Sequence, residues 1–321
     1  MNNDLALKIH DAALSVGYDG CGIIALKDMS GYKKFLDERI AKIPESKIIY
    51  GFYDAFVNLE KYYPWAKSII ICTFDMGQFK FPKSLQGRYA KAFMLSPDTA
   101  ENCQEFKNIK LFEQWLRDNN IKFASGEEHK PGYILPLRHA AVYAGLGIFR
   151  KNNFFYGKNG SYYELRAYLI DQDCEYKNNV EDIKPCDENC TLCVKSCRTK
   201  ALSAPYTMNP MLCMSFLTTF GGGVMPENIE EKDLGSWICG CDDCQDACPH
   251  NRKHDWSQGK DFYNLNELEE LLQPKNIIAA SDEVLQERVI PKTDFHIKPE
   301  NCNVLRVNAE RVMRVECEAA N

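Results

Sequence analysis

Two short stretches of the chain are dominated by cysteine. Residues 186–197 read CDENCTLCVKSC and residues 241–249 read CDDCQDACP, with two further cysteines, at positions 213 and 239, between them. Nine of the fifteen cysteines lie from Cys186 to Cys248. The amino terminus lacks the apolar run of a secretory signal, so these thiols are expected to stay reduced, and their odd total argues against complete pairing. The clustered cysteines are therefore expected to bind metal.

The spacing favours iron–sulfur clusters. The first stretch has the pattern C-x3-C-x2-C-x3-C, and the second has C-x2-C-x3-C-P. In ferredoxins with two clusters, each run gives three ligands to one [4Fe-4S] cluster and a fourth to the other cluster. The same rule predicts two ligand sets here. One consists of Cys186, Cys190, Cys193 and Cys248, and the other of Cys197, Cys213, Cys241 and Cys244.

Two structural zinc sites are the alternative, although zinc sites usually have separated C-x2-C pairs or mixtures of cysteine and histidine. Two details depart from the ferredoxin pattern. The first run has x3 where x2 is usual, and Arg198 replaces the proline after Cys197. Cys239 is a ninth cysteine beside the second run. It is interpreted either as a packed free thiol or as a substitute ligand.

Composition limits the remaining classes. The chain has 321 residues, 45% of them hydrophobic, and a net charge of −6. This negative net charge argues against mainly electrostatic binding of nucleic acid, which needs a surplus of Lys and Arg. The longest apolar run, residues 68–74, is far shorter than the ~20 residues that span a bilayer. The sequence therefore predicts a cytoplasmic protein without a membrane partner.

The periodicity before the cysteines alternates between helix and strand. Residues 4–16, 105–117 and 137–144 have helical spacing, whereas 21–26, 68–74, 121–124 and 162–170 are typical of strands. Helices are expected again at 265–272, 282–289 and 303–315. We predict an α+β fold with an α/β domain at 1–175, a ferredoxin-like domain at 176–255 and a C-terminal helical segment at 256–321 that packs back on the core.

Gly145 and Gly147 follow the predicted helix at 137–144. They lack the third glycine of a dinucleotide fingerprint and follow a helix instead of a strand. One interpretation is a tight helix stop. The other is backbone that comes close to a bulky cofactor, with Arg150 and Lys151 contacting its polar groups.

Three stretches of the sequence resemble the epoxyqueuosine reductase family. The strongest is WICGCDDCQ at residues 237–245, which continues into CPHN at 248–251. The second is CMSFLT at 213–218, and the third is Arg138 followed by AGLG at 144–147. Members of this family are cobalamin-dependent iron–sulfur enzymes of the last step of queuosine synthesis in tRNA, and they are related to reductive dehalogenases.

The resemblance implies a nitroreductase-like α/β domain that holds a base-off cobalamin. An external donor of the ferredoxin or flavodoxin type would reduce the clusters, and the clusters would reduce Co(II) to Co(I). Arg138, Gly145, Gly147 and Lys151 are then the candidate cobalamin-binding residues.

The sequence also departs from the family. The Asp-Tyr-His expected shortly after Arg88-Tyr89-Ala90 is absent, and residues 131–134 read PGYI where the family has an acidic segment. We therefore predict a divergent paralogue that reduces a small molecule, with tRNA disfavoured. Tyr89 and Asp98 are the candidate proton donors. The alternatives are an epoxyqueuosine reductase that acts on tRNA and an electron-transfer protein without a corrinoid.

Overall fold

A computed structural model describes residues 3–51, 54–127, 130–131, 135–180, 182–263 and 265–319. The helices are α1 Asn3–Ser15, α2 Tyr32–Lys42, α3 Lys47–Tyr50, α4 Asp54–Val57, α5 Leu59–Tyr62, α6 Lys91–Met94, α7 Gln104–Asp118, α8 Leu137–Tyr143, α9 Leu192–Ser196, α10 Met214–Leu217, α11 Asp243–Asp246, α12 Leu265–Leu268, α13 Pro274–Ala279, α14 Asp282–Val284 and α15 Asn303–Ala319. The strands are β1 Gly20–Ala25, β2 Ser68–Asp75, β3 Phe123–Ala124, β4 Gly126–Glu127, β5 Lys130–Pro131, β6 Ile148–Phe149, β7 Phe155–Tyr156, β8 Tyr163–Ile170, β9 Leu202–Ala204 and β10 Thr207–Met208.

The contacts divide the chain into two compact units. The first consists of Met1–Asp75 and Gln104–Glu188, and the second of Met76–Cys103 and Asn189–Asn321. The mixed helix and strand content that the sequence predicts is confirmed. The domain boundaries predicted at residues 175 and 255 stay a prediction.

An antiparallel sheet with the strand order β1-β2-β8-β3 lies at the centre of the first unit. All eight residues of β2 are buried, which explains why the apolar residues 69–72 follow one another without alternation. On one face, Ile70 and Tyr168 pack in a cluster with residues of α1 and α7. On the other, Ile71 and Leu169 pack with residues of α8. The sheet is thus covered on both faces.

Helix α8 ends in a Schellman motif. The N–H of Gly145 donates to the carbonyl of Val142 at 3.0 Å, and the N–H of Leu146 donates to the carbonyl of Ala141 at 3.0 Å. Gly145 has a φ of +71°, the left-handed conformation that this motif requires. The helix-stop interpretation of Gly145 is therefore sufficient to explain its presence.

The second unit contains the cysteine-rich loops and the C-terminal helices. Helix α15 packs against α13 and carries Asn308 and Arg311. Asn308 donates to the carbonyl of Thr218 at 2.9 Å, and Arg311 donates to the carbonyls of Gly235 and Trp237. The C-terminal helix thereby fixes two loops that precede the second cysteine stretch.

The helix predicted at 265–272 is shorter, because α12 ends at Leu268. Pro274 begins α13, and Gln273 before it has an extended backbone with ψ of 139°. A residue that precedes proline is disfavoured in the helical conformation, so one continuous helix cannot run through this point. None of the helices in the described ranges is long and apolar enough to cross a membrane.

Candidate iron–sulfur site

Several cysteines of the second unit lie close enough to raise one another's pKa. The thiol of Cys244 interacts electrostatically with Cys213, Cys197 and Cys193, and that of Cys241 interacts with Cys244 and Cys213. The structure therefore brings together the set Cys197, Cys213, Cys241 and Cys244, with Cys193 near it. The assignment of individual ligands stays a prediction.

Backbone N–H groups point at three of these sulfurs. Leu202 donates to the Sγ of Cys197 at 3.3 Å, and Asp243 donates to the Sγ of Cys241 at 3.4 Å. Cys213 precedes the first turn of α10 and accepts from the backbone of that turn. Hydrogen bonds to the sulfurs are one of the features that set the potential of an iron–sulfur cluster. The donor set is thus suited to bound thiolates.

Burial opposes ionisation of these thiols in the absence of a cation. Burial raises the pKa of Cys244 well above its ordinary value, and the neighbouring thiols Cys213 and Cys197 raise it further. Burial likewise raises the pKa of Cys241. Metal binding requires the thiolate form, and a coordinated metal supplies the positive charge that stabilises it. These cysteines therefore fit an iron–sulfur cluster.

The loop around the second cysteine stretch is held by buried hydrogen bonds. The N–H of Gly240 donates to the Oγ1 of Thr218 at 3.0 Å, and that hydroxyl donates to the carbonyl of Met214 at 2.8 Å. Gly240 has a φ of +78°, and a Cβ there would lie 2.4 Å from the Cβ of Ala90. Only glycine can therefore hold this close approach without strain.

The acidic residues of the C-D-D-C motif have cationic or indole partners. Asp243 accepts from the Nε of Arg198 and from the Nε1 of Trp237, both at 3.1 Å. Arg198, which replaces the expected proline after Cys197, thus joins the two cysteine stretches. Asp242 pairs with the buried Lys91. The sequence did not predict these two ion pairs.

Cys186 belongs to the first unit and lies beside Arg150. The Nη1 of Arg150 donates to the Sγ of Cys186 at 3.8 Å, and its Nη2 donates to the carbonyl of Lys184 at 2.5 Å. Arg150 is 3% exposed, so its charge acts in a region that contains little water. This guanidinium thus donates a hydrogen bond to a predicted cluster ligand.

Arg138 and Lys151, which were predicted to contact cobalamin, bind backbone carbonyls. The Nη1 of Arg138 donates to the carbonyl of Asn153 at 2.5 Å. The Nζ of Lys151 donates to the carbonyls of Asp187 and Glu188 at 2.7 and 2.6 Å. Lys151 thus fixes the chain directly after Cys186. Its predicted role at cobalamin stays a prediction.

The two candidate cobalamin glycines approach protein atoms closely. A Cβ on Gly145 would lie 2.0 Å from the carbonyl oxygen of Asn178, and one on Gly147 would lie 2.3 Å from that of Tyr156. The protein's own packing therefore explains both glycines without a cofactor. None of these four positions offers an observation that fits cobalamin specifically.

The candidate proton donors Tyr89 and Asp98 have different surroundings. Tyr89 is fully buried, donates to the carbonyl of Leu272 at 2.8 Å and stacks on Phe295. Burial raises its pKa well above the ordinary value. Asp98 is half-buried and interacts electrostatically with Asp294, whose pKa is raised by burial and by Asp98. The roles of both remain predictions, and residues 132–134, where the family's acidic segment is missing, lie outside the described residues.

The match to a known family covers the cysteine-rich part of the chain. Residues 186–251 match a 4Fe-4S double cluster binding domain. A relative named epoxyqueuosine reductase, from Cyclobacterium marinum, is 27% identical over 251 residues, which are 76% of this chain and 78% of the relative. Another, from Aliivibrio fischeri, is 36% identical over 132 residues, or 41% of this chain and 34% of that relative.

Solved structures share the fold over nearly the whole chain. A selenomethionine-labelled epoxyqueuosine reductase superposes with a TM-score of 0.76 at 23% identity, covering 99% of this chain and 83% of that one. An epoxyqueuosine reductase with an epoxyqueuosine-modified tRNA-Tyr stem loop superposes with a TM-score of 0.72 at 22% identity, with the same coverage.

These findings define the class of protein as an iron–sulfur oxidoreductase with a domain for two [4Fe-4S] clusters. The resemblance to the epoxyqueuosine reductase family is confirmed, and the predicted cofactors, the two clusters and cobalamin, are those that the family uses.

The predicted small-molecule substrate, with tRNA disfavoured, is wrong. The relatives are named epoxyqueuosine reductases, and one solved neighbour contains a modified tRNA stem loop. A net charge of −6 does not exclude an RNA substrate, because it bears only on non-specific, electrostatic binding. Recognition of an RNA loop depends on local stacking and hydrogen bonds to unstacked bases. The missing family acids bear on the proton donor and do not identify the substrate.

Proposed function

We propose that this protein is an iron–sulfur and cobalamin-dependent reductase that converts epoxyqueuosine in tRNA to queuosine. The observation that carries the proposal is the convergence of Cys197, Cys213, Cys241 and Cys244 within a segment that matches a double-cluster domain. The similarity to epoxyqueuosine reductases over 76% of the chain supports the substrate.

The proposed reaction removes the epoxide oxygen. Two C–O bonds break, a C=C bond forms, and the oxygen leaves as water after taking up two electrons and two protons. An external low-potential donor of the ferredoxin or flavodoxin type supplies the electrons one at a time through the clusters. Cobalamin, when bound, supplies a reducing metal centre that side chains cannot replace.

We assign the ligands in two sets as part of this proposal. Cys186, Cys190, Cys193 and Cys248 hold one cluster, and Cys197, Cys213, Cys241 and Cys244 hold the other. The N–H groups of Leu202 and Asp243 stabilise thiolates of the second set. Arg150 donates a hydrogen bond to the Sγ of Cys186 in the first set.

The finer architecture belongs to the same proposal. A nitroreductase-like α/β domain at 1–175 would hold cobalamin and substrate, and residues 176–255 would form the ferredoxin-like domain. The C-terminal segment 256–321 would support that domain, consistent with the bonds from Arg311 to the carbonyls of Gly235 and Trp237. A cytoplasmic location is part of the proposal because the tRNA substrate is found there.

Asp98 is the better of the two candidate proton donors. Asp98 is half-buried, whereas Tyr89 is fully buried and its hydroxyl already donates a hydrogen bond to the carbonyl of Leu272. Replacement of Asp98 by Asn should lower kcat with little change in KM, because a general acid acts on the transition state. The matched control is Asp261→Asn, which changes an exposed acid of the same unit.

The direct test uses an anticodon stem loop that carries epoxyqueuosine. The protein is reconstituted anaerobically with iron, sulfide and cobalamin, reduced chemically, and incubated with the RNA, and the nucleosides are analysed by mass spectrometry. We expect queuosine to form. The variant Cys244→Ser should abolish conversion, whereas Cys317→Ser, at an exposed cysteine outside both sets, should not. Absence of conversion by protein with reduced clusters and bound cobalamin would overturn the proposal, and a chain that never binds cobalamin would support the electron-transfer alternative.

A further inference from the structure

Lys91 is a buried lysine beside the second cysteine stretch. Its side chain is 3% exposed, and its Nζ lies 3.1 Å from the Oδ2 of Asp242 and 3.1 Å from both carboxylate oxygens of Asp246. Its backbone N–H also donates to the Oδ2 of Asp242 at 2.9 Å. Asp242, itself 1% exposed, lies between Cys241 and Cys244 in the C-D-D-C motif.

Backbone pairing brings Lys91 to this turn. The segment 88–91 runs alongside residues 238–242, with the N–H of Ile238 donating to the carbonyl of Arg88 at 2.7 Å and the N–H of Ala90 donating to that of Cys239 at 2.9 Å. The close approach of Ala90 to Gly240, described above, keeps the segments in contact. The ammonium group is therefore held at a fixed place beside the predicted ligands.

The surroundings of Lys91 keep it charged. Its Nζ lies 5.1 Å from the ring centroid of Trp256 and 5.9 Å from that of Phe81, distances typical of cation–π contacts. Burial by itself lowers the pKa of Lys91, but Asp242 and Asp246 raise it by more, so the net direction is upward. The shift therefore favours the ammonium form of Lys91.

Stability alone does not explain such a group. A buried ion pair costs so much desolvation that apolar residues of similar volume often serve as well or better. Asp246 is 46% exposed, so water screens its charge, whereas Lys91 and Asp242 lie where the dielectric constant is low. The buried pair therefore exerts the stronger field on the turn that carries Cys241 and Cys244.

We propose that Lys91 is a positioning residue that sets the reduction potential of the cluster bound by Cys197, Cys213, Cys241 and Cys244. The inference rests on the proposed function, because it requires that cluster. Lys91 fixes the turn through Asp242 and neutralises the negative charge of Asp242. The added electron of the reduced cluster is then not repelled by an uncompensated carboxylate, which raises the potential.

The test measures the cluster potential by redox titration with electron paramagnetic resonance on the reconstituted full-length chain. Lys91→Met should lower the reduction potential by about 59 mV or more. This shift corresponds to a tenfold or larger change in the equilibrium constant of the one-electron reduction. Asp242→Asn should shift it in the opposite direction. Because Lys91→Met leaves the buried Asp242 without its cationic partner and can impair folding, the double variant Lys91→Met/Asp242→Asn is also measured. It removes both charges and should return the potential towards that of the wild type.

Lys33→Met is the matched control, because Lys33 forms an exposed ion pair with Asp37 in the first unit. It should leave the potential unchanged. Potentials of Lys91→Met and Asp242→Asn that equal that of the wild type, or that shift in the same direction, would overturn the role of Lys91 while leaving the proposed function intact. A wild-type chain that assembles no cluster would overturn both, and tRNA conversion is not needed for either readout.

Discussion

Replacement of Gly145 by alanine should strongly destabilise the first unit, even in protein that has never met cobalamin. The new Cβ would lie 2.0 Å from the carbonyl oxygen and 2.8 Å from the carbonyl carbon of Asn178, and these are backbone atoms that cannot rotate away. The residue would also have to keep a φ of +71°. The left-handed conformation costs a residue with a Cβ about 1–2 kcal/mol.

The clash also breaks hydrogen bonds. Asn178 must move away, although its N–H donates to the carbonyl of Ala144 at 3.0 Å and its Nδ2 donates to that of Cys21 at 2.8 Å. Each of the two broken bonds costs about 1–3 kcal/mol, so together with the left-handed conformation the total is about 3–8 kcal/mol. At about 2–4 °C per kcal/mol, the thermal midpoint should fall by about 6–32 °C.

The assay is thermal denaturation of the cobalamin-free protein, followed by circular dichroism. The matched control is Gly51→Ala, because a Cβ there meets nothing within 4 Å and the φ of Gly51 is −61°. This control should change the midpoint by no more than about 2 °C. If Gly145→Ala had the same thermal midpoint as the control, the close approach to Asn178 would not be the reason for this glycine. The interpretation that Gly145 makes room for a cofactor would then be favoured.

Three further changes test other contacts. Thr218→Val leaves the buried N–H of Gly240 unpaired, at a cost of about 1–3 kcal/mol, and should speed chelator-driven bleaching of the cluster about tenfold. The control Thr219→Val removes only a bond to the carbonyl of Ser215 and should not change the rate. Equal rates for the two variants would refute this role of Thr218. Arg150→Met removes the donor to Cys186 and should likewise speed iron loss about tenfold, with the exposed Lys158→Met as control and unchanged iron retention as the contrary result. Burial, with Arg138 and Arg39, lowers the pKa of His139 to about 3, so its protonation favours the unfolded chain and stability should fall as the pH drops from about 6.5 towards 3. His139→Phe should reduce the difference in thermal midpoint between pH 5 and pH 7.5, and an undiminished difference would exclude His139 as its source.

The elements that local pattern defines were predictable from the sequence. Helix α7 buries Ile109, Phe112 and Leu116, a spacing that marks an amphipathic helix, and the buried β2 contains the apolar run 69–72. The cysteine spacing likewise predicts the double-cluster domain, because cluster ligands must lie on short loops.

The partners of long-range contacts were not predictable in this way. Nothing near Lys91 in the sequence indicates that it pairs with Asp242, because 151 residues separate them and the fold alone brings them together. The order of the sheet, with β8 between β2 and β3, is similarly a property of the whole unit. Gly147 was ambiguous because a glycine that makes room for the protein and one that makes room for a cofactor have the same local pattern.

The proposed activity depends most directly on iron–sulfur binding by the two cysteine sets. Anaerobic reconstitution, followed by Mössbauer spectroscopy and iron and sulfide analysis, measures the cluster type and number per chain. Two [4Fe-4S] clusters are expected in the wild type and in Cys317→Ser, and loss of one is expected in Cys244→Ser. Protein that holds zinc without sulfide, or that keeps both clusters after Cys244→Ser, would contradict this assignment.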